Sequence, residues 1–442
     1  MQQSSQDQPA GLSESAAPPP TPSNPPQRQS WSSTGYALPP TTEKPPAAPI
    51  EPTPAKRTPS IQPLSKHATH LFTLSYLVFF SIFGTLARLG LQALTFYPGA
   101  PVVTGVLWPN VGGSLLMGFF LEDKNLFREE WGQPPAHSRS EDGDAVRQRT
   151  ENHKSAKKTI PLYIGLTTGF CGSFTSFSSF IRDVFLALTN DLPDPSVSSI
   201  TPRNGGYSFM ALLAVLFTTV ALSLSALICG AHLALALALD RFTPSFPFRL
   251  TRRVLDPLFV LLGWGCWLGA VFLAIWPPDR SASNNNNGSS TNAPDTWRGR
   301  AVFAIVFAPL GCLLRYYLAL YLNPRVPAFP LGTFTVNIFG TVVLAMCFDL
   351  QRVDGVGTAI GADARSAPYA ILTSCQVLQG VMDGFCGCAT TVSTWVAELN
   401  GLSRRRQAYV YGVGSVAVAL GFFVVIVGSL GWTRGFVDPV CT

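Results

Sequence analysis

The chain has 442 residues, 47% of them hydrophobic and only 13% charged, with a positive mean hydropathy. Soluble domains carry about 25% charged residues, so the apolar residues here must be gathered into blocks, and the composition is that of a membrane protein. The net charge of +6 does not indicate a nucleic-acid partner, because the basic residues fall in tail and loops with no recognition motif.

Residues 1–69 are rich in Pro, Ser, Thr and Gln and hold no apolar block, so a disordered N-terminal tail is expected. It has no signal-peptide core, which leaves insertion to the first spanning helix. Nine blocks follow that are apolar enough to cross about 30 Å of hydrocarbon: 70–96, 101–121, 160–189, 207–239, 255–276, 301–322, 328–350, 369–398 and 407–432. The expected fold is an all-α membrane protein of nine transmembrane helices. Its parts are a four-helix unit at 70–240, a linker at 241–299 with the single span 255–276, and a second four-helix unit at 300–442.

Basic residues mark alternate loops. Lys56, Arg57 and Lys66 precede the first span, and Arg139, Arg147, Arg149, Lys154, Lys157 and Lys158 follow the second. Arg241, Arg249, Arg252 and Arg253 follow the fourth, Arg325 the sixth, and Arg404, Arg405 and Arg406 the eighth. Positive charge stays inside, so the N-terminus is expected in the cytosol and the C-terminus outside. The sequon Asn287-Gly288-Ser289 then falls in an outer loop. The nine cysteines lie mostly in apolar segments and read as small hydrophobes.

The first four spans repeat as the last four. Gly84, Arg88, Asn110 and Gly113 match Gly311, Arg315, Asn337 and Gly340, each pair 227 residues apart. GFCGSFTSFSSF at 169–180 matches GFCGCATTVSTW at 384–395. An odd span lies between the copies, so the second enters the membrane inverted, as in many transport proteins.

In each copy the third span carries a glycine-rich stretch. Gly169 and Gly172, like Gly384 and Gly387, either break the helix or let helices pack closely. Two matched breaks meeting at the centre would offer carbonyls suited to a cation. Thr175, Ser176, Ser178 and Ser179 match Thr390, Thr391, Ser393 and Thr394, which reads as a polar track in both copies. Asn110 and Asn337 each offer amide donors to a passing anion, or else bond another helix. Phe177 and Phe180 share a helix face, and their positive ring edges suit an anion. Arg88 and Arg315 are either buried or snorkel to the interface. Asp183 and Glu398 form a matched pair read as solvated helix ends. No acidic residue is read at the middle of a span, no ATP-binding loop is present, and no catalytic constellation is found; His232 stands alone in an apolar span. Donors without full charge suit a weak, passive anion site better than a pump.

These motifs are specific in combination. GTLARLG at 84–90, GCLLRYY at 311–317, WPNVGGSLLMG at 108–118, GTFTVNIFG at 332–340 and the two third-span stretches resemble the fluoride export (FEX) proteins of eukaryotes, relatives of the bacterial Fluc, or CrcB, fluoride channels. The resemblance covers about residues 70–432. It implies two pore paths beside the interface of the halves, with Asn110 and Asn337 as pore asparagines and Phe177 and Phe180 as pore phenylalanines. Ser176, Ser179, Thr391, Thr394 and Trp395 stand at neighbouring positions. Gly172, Thr175, Gly387 and Thr390 match the break whose carbonyls hold a structural sodium ion. Arg88 and Arg315 match a first-helix arginine, possible vestibule residues. Tyr411 and Ser415 resemble a last-helix polar track, for which the fourth span lacks an obvious equivalent. Val392 and Trp395 replace the second copy's phenylalanines, so one working pore and one degenerate pore are expected.

The function implied is passive fluoride export from the cytosol by a single chain, driven by membrane potential, with the plasma membrane as its place. The rivals are an inverted-repeat exporter of small solutes or drugs, which needs a membrane-buried acid, and a non-transporting structural membrane protein.

Overall fold

The computed structural model describes residues 65–102, 105–127, 157–196, 204–239, 245–276, 296–358 and 369–441. Most of the expected tail, the basic loop at 139–154 and the Asn287 sequon lie outside them. Among the described residues the protein is all-helical, with no named strand.

The first helix, α1 (Lys66–Thr95), starts four residues earlier than expected, and α2 (Leu107–Glu122) follows. The third block is composite. A turn at Pro161–Ile164 leads into a π-helical stretch, Gly165–Cys171, then a last turn, Gly172–Phe174; we call 161–174 α3. After an interruption come α4 (Phe177–Thr189) and α5 (Gly205–Leu239). The linker helix α6 (Asp256–Ile275) is entered through a π turn. The same succession returns as α7 (Thr296–Leu322), α8 (Leu331–Gln351), a composite α9 (369–389), α10 (Val392–Gly401) and α11 (Arg405–Thr433). Within α9 the stretch Val381–Cys386 is again π-helical.

Among the described residues, six helices are long and apolar enough to cross a membrane: Lys66–Thr95, Gly205–Leu237, Thr251–Ile275, Gly299–Arg325, Leu331–Gln351 and Arg405–Thr433. The other three expected spans are a 16-residue helix and the two interrupted ones. Large apolar side chains point outward along these helices, among them Leu261, Phe217 and Val425, as a lipid-facing surface requires.

Small residues set the packing. A Cβ at Gly84 would lie 2.7 Å from the Phe170 carbonyl oxygen, and one at Gly311 would collide with the Phe385 carbonyl. Each first helix therefore touches the backbone of its third helix directly. The linker α6 buries only Asp256, Gly263 and Ala270, one narrow seam. Trp264 Nε1 donates to Ser75 Oγ at 3.0 Å and Trp267 Nε1 to the Val306 carbonyl at 2.9 Å, so α6 is pinned to both α1 and α7. Helices far apart in the chain interlock: α4 packs on α8 and α11, while α10 packs on α2 and α5.

The structure holds a disulfide, Cys375–Cys441, absent from the sequence reading. The other seven cysteines are free, five of them buried.

Candidate functional site

The two interruptions are built alike. Thr175 and Thr390 leave the helix at φ −94° with ψ 153° and 151°. Ser176 and Thr391 then cap the next helix in extended conformation, their side chains accepting from Ser179 N and Thr394 N. Thr175 N and Thr390 N still reach back to the carbonyls of Cys171 and Cys386, but the next amides have no helical acceptor. Asparagine supplies one. Asn110 Oδ1 accepts from Ser176 N and Asn337 Oδ1 from Thr391 N, both at 2.9 Å. Their amide nitrogens donate to the carbonyls of the same residues, at 3.5 Å and 3.3 Å. Both asparagines are fully buried and hold the break open first. Each amide keeps one N–H beyond these bonds.

The hydroxyl cluster divides in two. Thr175 Oγ1 lies 3.1 Å from both Thr391 Oγ1 and Ser393 Oγ, and accepts from Val392 N and Ser393 N at 3.2 Å. In the mirrored position Thr390 Oγ1 accepts from Ser178 N at 3.0 Å and lies 2.9 Å from Ser178 Oγ. Ser393 Oγ then reaches the Cys171 carbonyl at 3.1 Å. So Thr175, Thr390, Ser178 and Ser393 clasp one break to the other, where the sequence suggested a continuous track. Ser176, Ser179, Thr391 and Thr394 belong to the two caps.

Both arginines are buried, and neither snorkels. Arg88 Nη1 donates to the Ser173 carbonyl at 2.8 Å, and its Nη2 to the Asp383 carbonyl across the junction. Arg315 Nε donates to the Cys388 carbonyl at 2.8 Å and its Nη2 to the Thr168 carbonyl at 2.7 Å. Each guanidinium lies against a glycine of the opposite break: a Cβ at Gly172 would meet Arg315, and one at Gly387 would meet Arg88. The fixed fork of donors suits freed carbonyls.

The expected sodium site can be tested on its donors. Among the described residues, no side-chain or inter-element hydrogen bond ends on the carbonyl oxygens of Gly172, Thr175, Gly387 or Thr390. Guanidiniums take the Ser173 and Cys388 carbonyls beside them, and carbonyl oxygens left over at such a break are of the donor type a hard cation takes.

Phe177 and Phe180 are fully buried, and Trp395 is nearly so. Phe177 meets Phe180 edge-on, centroids 5.9 Å apart at 75°, and meets Trp395 edge-on at 5.3 Å and 69°. The aromatic positions of both copies therefore form one group. Tyr411 and Ser415 are fully buried on α11.

Three sequence expectations need correction. Asp183 and Glu398 are not solvated. Asp183 is 3% exposed and pairs with Arg182 at 2.9 Å. Glu398 accepts from Thr333 Oγ1 and Tyr411 OH, both at 2.6 Å, and from Asn323 Nδ2 at 3.3 Å. Asp183 lies in the body of α4 rather than at its end, and Glu398 is partly buried among its three donors. An acid does lie mid-span: Asp383, in the π-helical part of α9, is buried and bonded to Arg300 and Gln379, both at 2.8 Å. Finally, the fourth span has its polar stripe. Thr219 and Ser223 are buried one turn apart on α5, flanked by Val215 and Leu227. In a helix this apolar, two hydroxyls among many small residues gave no signal until burial singled them out.

A cavity of about 850 Å³ opens beside the ends of α1, α4 and α8, lined by Arg182, Asp183, Arg300, Arg352, Gln379 and Asp438 among others. Burial, with Arg182 next to it, pulls the Arg352 guanidinium down to about 10, so it stays charged at neutral pH. The C-terminal segment forms part of the wall, held there by the disulfide from Cys441 to Cys375.

Comparison with known proteins identifies the lineage. The family model described as CrcB-like protein, Camphor Resistance (CrcB), matches residues 75–231 and 302–429, one segment in each half. A protein of Neurospora crassa named Fluoride export protein 1 is 54% identical over 393 residues, covering 86% of this chain and 70% of that protein. Its namesake in Candida albicans is 34% identical over 382 residues, covering 86% and 85%. Fluoride-specific ion channel FluC of Acinetobacter baumannii is 33% identical over 124 residues, which is 28% of this chain and 79% of that protein. No solved structure matches the chain. With a family match in each half and relatives aligned along most of its length, this multi-pass helical chain belongs to the CrcB-like protein family.

Proposed function

We propose that the chain is a passive fluoride channel that exports the ion from the cytosol. The observation that carries the reading is the pair of interrupted helices, clasped face to face and bracketed by Asn110 and Asn337, in a chain whose relatives are named for fluoride export. Hydrogen fluoride crosses membranes uncharged and dissociates in a near-neutral cytosol. A negative interior then drives the trapped anion outward by about 2.3 kcal/mol per 100 mV, so no ATP is needed. Nothing in the reading is catalytic; the protein holds donors along a path and leaves chemistry to solvent.

The two halves are read as inverted four-helix repeats joined by α6, so that one chain does the work of two subunits. The N-terminus is placed in the cytosol and the C-terminus outside, at the plasma membrane. Two observations support this orientation: basic residues in the inner loops, and a disulfide to the C-terminal segment, which oxidising surroundings favour. The carbonyls of Gly172, Thr175, Gly387 and Thr390 would hold a sodium ion. Bound there, it would add fixed positive charge between the paths. Arg88 and Arg315 supply such charge from the chain itself. One of the two paths is taken to conduct.

The coupled-exporter reading needs a titratable acid free to exchange protons. Asp383 is buried mid-membrane, but Arg300 neutralises it and Gln379 shares the same oxygen. The test is fluoride efflux from liposomes holding the purified chain, with chloride as comparison. Fluoride flux with little chloride flux is the expected result. Folded protein that moves neither ion returns the weight to the exporter or structural readings.

A further inference from the structure

The segment after α11 turns back to the cavity described above. α11 ends at Thr433, and Arg434 N and Gly435 N still reach the carbonyls of Leu430 and Gly431. Gly435 then takes φ +79°, the left-handed conformation that suits glycine at a helix C-terminus. From there residues 436–441 run past the end of α8, where Phe436 meets Phe348 edge-on, centroids 6.0 Å apart. Val440 N donates to the Gly357 carbonyl at 3.0 Å, and Cys441 is bonded to Cys375 on α9. Asp438, Pro439 and Cys441 line the cavity together with Leu86 and Leu89 of α1 and Asp183 of α4.

Packing alone holds this segment weakly. Of residues 436–441 only Pro439 and Cys441 are buried, while Val437 and Asp438 are exposed. So short a stretch with so little burial belongs to the low-stability end of a fold, and its docking depends on the covalent bond. What lies beneath it is polar and ordered. Gln351 Nε2 donates to the Cys375 carbonyl at 3.2 Å and to Gln379 Oε1 at 3.1 Å, and lies 3.4 Å from Cys441 Sγ. Gln379 Nε2 donates to Asp383 Oδ2, which also takes Arg300 Nε, and the Asp383 carbonyl takes Arg88 beside the helix break. A run of bonds therefore leads from the disulfide to a guanidinium at the centre of the molecule. Arg300 lines the cavity, so a bulky charged solute inside would compete for it and leave Asp383 a buried charge without its partner.

We propose that residues 436–441 are a strap that roofs this cavity, with Gly435 as its hinge and the Cys375–Cys441 disulfide as its latch. Latched, the strap keeps bulky charged solutes away from the Arg300–Asp383 pair. Unlatched, it swings out and the cavity admits them. A dithiol reductant unlatches it by exchange: one thiolate attacks the Cys441 sulfur, and Cys375 leaves as a thiolate and takes a proton. The second thiol then displaces Cys441, closing the reductant's own disulfide and leaving both cysteines reduced.

The test uses the purified chain in detergent, so it depends neither on which face is outward nor on fluoride flux. A reporter, Ala301→Cys, is placed in the cavity wall, and its reaction with a bulky anionic maleimide is followed by mass at that residue. Three chains are compared. One keeps the disulfide, one carries Cys375→Ser with Cys441→Ser, and one carries Cys375→Ser and stops after Gly435. Labelling is expected to be about tenfold faster in the second and third, while a small thiosulfonate reagent reacts alike in all three. Fast labelling of the stopped chain alone means that the strap stays down without its bond, and overturns the latch. Slow labelling of the stopped chain overturns the roof. Equal speeding of the small reagent marks a loosening of the whole fold and overturns both. Hydrogen exchange needs no substitution and decides the matter if the serine pair does not elute as folded protein. After dithiol treatment of the unaltered chain, residues 436–441 should exchange about tenfold faster while α11 keeps its protection. Unchanged exchange in the reduced chain overturns the latch.

Discussion

Asn110 and Asn337 sit where two needs meet, since a break in a membrane helix frees backbone groups that water cannot reach. Each asparagine accepts from one freed amide and donates to the carbonyl of the same residue. Replacing either with alanine leaves that amide unpaired, at a cost of about 1–3 kcal/mol. Asn110→Ala and Asn337→Ala should therefore both lower the Tm in detergent. Only the one on the conducting path should also slow fluoride beyond what its stability loss explains; matched Tm losses with matched flux losses would argue for two paths. Arg88 and Arg315 behave similarly as structural forks. Arg315→Lys keeps the charge but cannot span the Thr168 and Cys388 carbonyls together. It should lower the Tm, and an unchanged melting curve would show that charge alone suffices. None of these partners was visible in the sequence, which marked the residue types and their spacing but left open whether each faced solvent, lipid or backbone.

At the scale of the element, the third helices are legible only in part. Paired glycines and hydroxyls pointed to a break, and breaks occur at Thr175–Ser176 and Thr390–Thr391. The π-helical stretches just before them were not readable, because an extra residue per turn leaves no mark in composition. The hydroxyls were assigned to a track, yet half of them clasp the two breaks. Thr175→Val removes the acceptor for Val392 N and Ser393 N. It should destabilise the chain more than Ser179→Ala, as read by thermal unfolding; equal effects would count against a clasp. The sodium reading belongs here too. If the carbonyls of Gly172, Thr175, Gly387 and Thr390 hold the ion, exchanging sodium for a bulky organic cation should lower the Tm. An unchanged Tm would mean that the two guanidiniums already satisfy the centre.

Across the whole molecule, each half supplies the other with packing partners, and the C-terminal segment is tied back by Cys375–Cys441, 66 residues apart. Closing a loop of that length is worth about 4 kcal/mol in the chain-entropy picture. Cys441→Ser should therefore lower the Tm, and a membrane-impermeant reductant applied outside sealed cells should do the same to the native chain. Reduction only after the cells are opened would put the C-terminus on the cytosolic side and reverse the proposed topology.

The sequence by itself determined the helical membrane class and marked the matched motifs from which a repeat and a site are read, because hydropathy, spacing and recurring motifs are properties of the chain as written. The tertiary structure alone decided which of those groups still have something to give. Asp183 and Asp383 became buried and paired, Glu398 gathered three hydrogen-bond donors, Thr219 and Ser223 emerged from an unmarked apolar helix, and Cys375 found Cys441. Whether a polar group is spent or free depends on which helix lies against it, and helices from opposite halves of the chain meet only in three dimensions.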